Sequence, residues 1–247
     1  MIWETAGLVP ATARNERPQF FARMALLMAA IVVLSFPVTY FVPVATGSGK
    51  FHTLHHVHGL AFFAWFALYV WQTQLVARGQ IARHREIGLA GFTLTGTMIL
   101  LGYWMAQRGA ERRLGTMEHP YEVTWFNISD ITLFAVLMTA AIVLVTRHKE
   151  WHRRFVFVAA LCFVAPAATR WTLRVPGFDA LALDVASYLV MYPFLVALAL
   201  FDWRTLGKLH PATLVSIGLL LPVQISGAWI ARSDWWSSVA PALIGPP

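Results

Sequence analysis

Charge is what this chain has least of. Asp, Glu, Lys and Arg make up 13% of its 247 residues, against about 25% in an ordinary soluble domain. The deficit runs along the whole chain, which points away from a soluble fold. Cysteine is almost absent too. Cys162 stands alone, which excludes an intramolecular disulfide framework and a Cys-rich metal site; its apolar neighbours mark it as a small packing residue. The lysines are Lys50, Lys149 and Lys208, all outside the long apolar segments, so the last helix has no Schiff-base lysine for retinal. A phosphate-binding glycine loop and a serine-hydrolase motif are both missing. Long polar linkers are also lacking: apart from residues 108–124 the connections are short, which leaves no room for a soluble domain.

What is there is apolar length. The chain is 58% hydrophobic, with 11 Trp and 17 Phe. A helix needs about 20 apolar residues to cross the hydrocarbon core of a bilayer. Seven segments qualify: 24–44, 51–77, 88–107, 125–146, 155–174, 181–201 and 212–231. The expected fold is therefore all-α, a polytopic transmembrane bundle of seven helices. Residues 1–23 are read as a tail, 24–231 as the single transmembrane domain and 232–247 as a short second tail. The first segment is too long for the apolar region of a secretory signal, and no small-x-small cleavage site follows it, so it reads as a retained helix.

The charges that remain are unevenly spread. With the N-terminus in the cytoplasm, the tail and the three inner turns hold 12 of the 19 Lys and Arg residues, leaving the inner face net +7 and the outer face neutral. Excess Lys and Arg on the cytoplasmic side is a topology signal and suits anionic lipid. The net charge of +7 thus needs no nucleic acid to explain it. An odd helix number puts the C-terminus outside, with Trp235 and Trp236 expected at the interface. Each inner turn also pairs basic residues with a histidine ahead of the returning helix: His84, then His148 and His152, then His210. Helix-start chemistry and interfacial anchoring account for this pattern; an ancestral duplication is the alternative. Gly88, Gly91, Thr95 and Gly102 in the third segment allow close helix packing. Pro37, Pro166, Pro193 and Pro222 each remove a backbone donor inside a span.

The densest chemistry lies in His52-Thr53-Leu54-His55-His56-Val57-His58, at the start of the second segment. On a helical wheel His52, His55 and His56 fall within an arc of about 100°, and His58 widens it to about 160°. One helix can thus aim three imidazoles at one point, so His52, His55 and His56 are candidate ligands of a metal ion. His-x-x-His-His is similar to one histidine box of the membrane di-iron desaturases and hydroxylases. Those sites need several boxes, and the only other candidate, His148-x-x-x-His152, falls on the opposite face about 30 Å away. The outer halves of the fourth to seventh segments contain no His to complete a two-histidine haem clamp; His119, in the loop before the fourth, is the one candidate. A five-coordinate haem-like tetrapyrrole stays open. The bland reading leaves the histidines hydrated among headgroups.

Polar residues at the same depth raise the stakes. Asn127, Ser129 and Asp130 open the fourth segment, Thr169 and Arg170 close the fifth, Asp179 and Asp184 open the sixth, and Gln224 and Ser226 lie in the seventh. Charges there need a partner or a wet cavity. Asp130 with Arg170 is the favoured pair, and Asp184 the competing acid. Such a pair can simply fix packing, or it can form, with His55, His58 and Asp184, the wall of a polar pocket open to the outer face. Along the second helix the stripe His58, Trp65, Tyr69 and Gln72 continues inward on one face.

Two stretches resemble a pattern in uncharacterised bacterial membrane proteins. One is Gln72-Thr73-Gln74-Leu75-Val76-Ala77-Arg78-Gly79 followed by His84-Arg85-x-x-Gly88. The other is His152-Arg153-Arg154 ahead of a helix ending Pro166-Ala167-Ala168-Thr169-Arg170. The resemblance spans the second to fifth segments and implies a bacterial inner-membrane protein of about seven helices, with no activity to transfer.

Three functions remain in view. The first is a binding or redox-accessory protein holding a metal ion, a haem-like tetrapyrrole or a quinone-like ligand in the outer half of the bundle, with His58, Asp130, Arg170 and Asp184 lining the pocket. The second is a histidine-dependent oxidoreductase acting on a lipid-soluble substrate. The third is a proton-coupled small-molecule carrier. The expected partners are the lipid bilayer, a small lipid-soluble ligand and the other subunits of a larger membrane complex, with no nucleic acid.

Overall fold

The computed structural model describes residues 11–172 and 180–244, with side chains from 18 to 172 and from 185 to 244. The chain forms α1 (Ala11–Ser35), a π-helical turn (Pro37–Phe41), α2 (Val42–Ala45), α3 (Thr53–Ala77), α4 (Ile81–Arg113), α5 (Glu122–Leu144), α6 (Lys149–Thr172), α7 (Ala180–Leu206), α8 (Pro211–Ala231) and α9 (Asp234–Ile244). Among the described residues, seven helical stretches are long and apolar enough to cross a membrane: 18–45, 53–77, 81–113, 122–144, 149–172, 185–206 and 211–231. The molecule is thus a seven-helix, multi-pass membrane protein whose apolar flanks suit a lipid bilayer.

Several helices outrun their apolar runs. α4 starts at Ile81 and continues to Arg113, so it absorbs part of the long 108–124 connection. The rest of that loop is pinned by Arg113, which donates to the Pro120 carbonyl (2.8 Å) and to Thr124 Oγ1 (2.9 Å). The segment after α8 is not featureless either. It forms α9, which lays Trp236 (1% exposed) against Ala110 and Tyr121, with Nε1 donating to the Tyr121 carbonyl at 2.8 Å. Of the two tryptophans expected at the interface, only Trp235 stands exposed.

The helices divide into two ends. Connections 45–53, 113–122 and 231–234 lie at the end carrying the histidine cluster; connections 77–81, 144–149 and 206–211 lie at the other, basic end. Gly79 and Gly207, with φ of +74° and +68°, stop α3 and α7 at the basic end. A left-handed residue just past a helix end lets its last carbonyls find donors, and glycine adopts that conformation without steric cost.

α6 is the central helix. It packs against α1, α5, α7 and α8, and Phe157 to Ala168 is almost wholly buried. Ala159, Ala160, Ala165, Ala167 and Ala168 let neighbours approach on several sides, as small residues do in lipid. α3 reaches α6 through rings instead. Phe62, Trp65, Phe134 and Phe163 form one cluster, with centroids of Phe62 and Trp65 at 5.3 and 5.7 Å from Phe163. The small stripe on α4 splits between two neighbours. Gly88 and Gly91 face Gln72 and Leu68 of α3, whereas a Cβ on Gly102 would stand 3.1 Å from Ile131 of α5. Thr95 accepts the Trp65 indole N–H at 3.3 Å.

Candidate functional site

His52, His55 and His56 share one helical turn but serve different partners. His52 caps α3: its Nδ1 accepts the Leu54 N–H at 3.3 Å. His55 Nε2 stands 3.1 Å from Arg112 of α4. A guanidinium has only donors, so this nitrogen accepts; Nδ1 lies 3.2 Å from both the N–H and the carbonyl of His52. His56 Nδ1 meets the hydroxyl of Tyr40, in the π-helical turn, at 2.5 Å. Among the described residues no three His, Cys, Asp or Glu side chains are grouped to hold a metal ion.

His58 is different. Its Nδ1 is buried and has no hydrogen-bond partner. Its ring lies 6.1 Å from Phe62, and its electrostatic neighbours are Arg170 and His55. Arg170 therefore joins His58 across α6 and α3. Its guanidinium donates to the Pro166 carbonyl at 2.8 Å and lies 4.1 Å over the Phe36 ring, a cation–π contact. Phe36 in turn contacts Phe62 at 5.9 Å. The site is thus a histidine and an arginine held over two phenylalanines by α1, α3 and α6. Trp171 locks this corner by donating to the Leu34 carbonyl at 3.3 Å.

Asp130 of α5 is 5% exposed and lies within electrostatic range of Cys162 on α6. Asp184 belongs to the first turns of α7, and its side chain lies outside the described residues, as do Arg174 and Asp179. Gln224 donates to Met191 Sδ at 3.1 Å, while its Oε1 is buried without a partner. Thr169 and Ser187 join α6 to α7 through their hydroxyls at 2.7 Å.

Sequence reasoning missed Tyr40, Arg112 and Phe36 as partners of the histidine end. No periodicity announces them, because each reaches the site from another helix. It also took Arg154 only as an inner-turn charge and part of a motif, and did not single out Asp202. Both are fully buried. Asp202 accepts from Arg154 Nε (3.0 Å) and Nη2 (2.5 Å), the His210 N–H (3.0 Å) and Thr213 Oγ1 (2.5 Å). Arg154 also donates to Glu150 Oε2 at 2.6 Å. This network ties α6, α7 and the start of α8 together.

Fold and site define a class, a seven-span helical membrane protein with a polar corner buried at one end. No family model, curated protein or solved structure matches the chain.

Proposed function

We propose that the protein binds a small lipid-soluble molecule with a quinone-type head group at the corner formed by His58, Arg170, Phe36 and Phe62. The observation that carries this reading is the His58 ring, whose Nδ1 is buried without a protein partner beside a guanidinium on another helix. Buried polar atoms are nearly always paired, so an atom left over in a polar corner points to a guest. An imidazole and a guanidinium suit a head group that accepts hydrogen bonds, and the two phenylalanines suit its ring. A quinone carbonyl meets both demands. The histidines ahead of His58 are spoken for by Arg112, Tyr40 and the helix start, which favours hydrogen bonding over metal ligation. We place the site at the outer end of a bacterial inner-membrane protein, with Asp130 and Arg170 setting the local charge. A redox-accessory subunit is the role that fits such a ligand.

The test is the content of the purified protein. Organic extraction and mass spectrometry of detergent-solubilised wild type should recover a lipid-soluble cyclic carbonyl compound in near-stoichiometric amount. His58→Ala should lose it while eluting as the same species on gel filtration. Equal ligand content in wild type and His58→Ala would overturn the assignment.

A further inference from the structure

The basic end of the bundle holds a second set of buried polar atoms that the first site does not use. Tyr69 Oη, both polar atoms of the Gln72 carboxamide and His84 Nδ1 are buried with no hydrogen-bond partner, and Tyr69 is only 6% exposed. They gather at one place. Gln72 Oε1 lies 3.7 Å from where a Cβ on Gly88 would stand. His84 is one turn before Gly88 on α4, and its ring lies against the Gln72 main chain. His152 of α6 is an electrostatic neighbour of His84. Its Nδ1 is 3.0 Å from the Ala141 carbonyl, which can only accept, so Nδ1 carries the proton and Nε2 the lone pair.

Donors and acceptors are both on offer. The Tyr69 hydroxyl and the Gln72 amide nitrogen donate; Gln72 Oε1 and His152 Nε2 accept. One wall is flat: Trp65 and Tyr69 stack at 5.5 Å and 23°, and Trp65 is fixed by its bond to Thr95. Gly88 and Gly91 bring the α4 backbone into close packing with α3, Gln72 Oε1 and Leu68 Cδ2 standing 3.7 and 3.8 Å from the projected Cβ positions.

We propose that Tyr69, Gln72, His84 and His152 form a second ligand site, which takes the head group of a neutral lipid-soluble molecule bearing carbonyl or hydroxyl oxygens. The site is separate from the first. Tyr69 lies on the same stripe of α3 as His58 but about 16 Å further along the axis. It stands whether or not the His58 corner is occupied.

A photoreactive azido-benzoquinone with a short alkyl tail is the probe, used on the full chain in lipid nanodiscs, with adducts mapped by mass spectrometry. The expected result is labelling of peptides spanning residues 84–95 or 141–152 as well as 55–62 or 163–172. Tyr69→Phe and Gln72→Leu should each weaken labelling at the basic end about tenfold, the effect of losing one buried hydrogen bond. Both should leave the histidine end unchanged, and His58→Ala should do the reverse. Tyr69→Phe keeps the ring and so serves as the variant least able to disturb the fold. Labelling at the histidine end alone, or basic-end labelling indifferent to both variants, overturns the second site and leaves the first standing. So does a high-resolution experimental structure in which ordered water alone satisfies the four atoms. No labelling at either end overturns both readings.

Discussion

Arg154 and Asp202 form a fully buried ion pair between α6 and α7, and taking two ions out of water is repaid only when geometry and supplementary hydrogen bonds are good. Here Asp202 of α7 satisfies four donors on two other elements, α6 and the start of α8. Removing it strands a buried guanidinium, the Thr213 hydroxyl and the His210 N–H together. Asp202→Ala should therefore cost about 3–5 kcal/mol, seen as a large drop in thermal midpoint in detergent. The paired change Arg154→Met with Asp202→Leu should restore a good part of it, because it removes both charges at once. A single variant as stable as wild type would show that the network contributes nothing. The pairing was invisible in sequence because Arg154 and Asp202 are far apart in the chain and each sits at a span end, where a basic or acidic residue ordinarily meets water.

At the scale of the helix, the inner-turn histidines separate into two kinds. His210 is a helix-start residue: its Nδ1 accepts the Ala212 N–H at 3.1 Å, and Pro211 follows it. His148 plays a similar part through its carbonyl, which accepts from Trp151 and His152 at 3.0 Å each. His84 and His152 lie inside their helices and are electrostatic neighbours, so the common pattern of the three turns covers two unlike uses. The cap at His210 should be sensitive to acid. Burial, and then the Arg154 and Arg153 guanidiniums, hold its pKa down to about 4 against an ordinary 6.5, with Asp202 and Glu150 opposing. The unfolded chain thus takes up the proton first. The stability contributed by the neutral ring is complete above the ordinary value and drains away as pH falls from 6.5 toward about 4. Asn is as good a cap and does not titrate, so in thermal scans across that window His210→Asn should lose less stability than wild type. Parallel curves would mean that the cap is not the acid-sensitive element.

The number of spans was legible because length and hydropathy alone decide it: all seven expected segments recur, with ends shifted where polar residues extend a helix. The arrangement of the helices was not legible. In lipid the bundle interior is no more apolar than its surroundings, so hydropathy cannot tell central α6 from lipid-facing α4. Alanine content was the available signal. The same limit hid the partners of His55 and His56, which reach them from other helices.

For the whole molecule, charge is the property that sets direction in the membrane. The turns after α3, α5 and α7 carry Arg78, Arg83, Arg85, Arg147, Lys149 and Lys208, whereas the loops at the histidine end carry no net excess of either sign. Lys and Arg flanking spans are retained on the cytoplasmic side, so the basic end should face the cytoplasm and the histidine end the outside. The chain is well suited to a direct check, because its only cysteine, Cys162, is 1% exposed and should stay silent to a polar thiol reagent. Glu118 and Arg78 are exposed at opposite ends. In intact cells a membrane-impermeant maleimide should label Glu118→Cys and spare Arg78→Cys, which should react only once the membrane is opened. The reverse pattern would turn the molecule over, placing the His58 corner on the cytoplasmic side and the Tyr69–His84 site on the outer one.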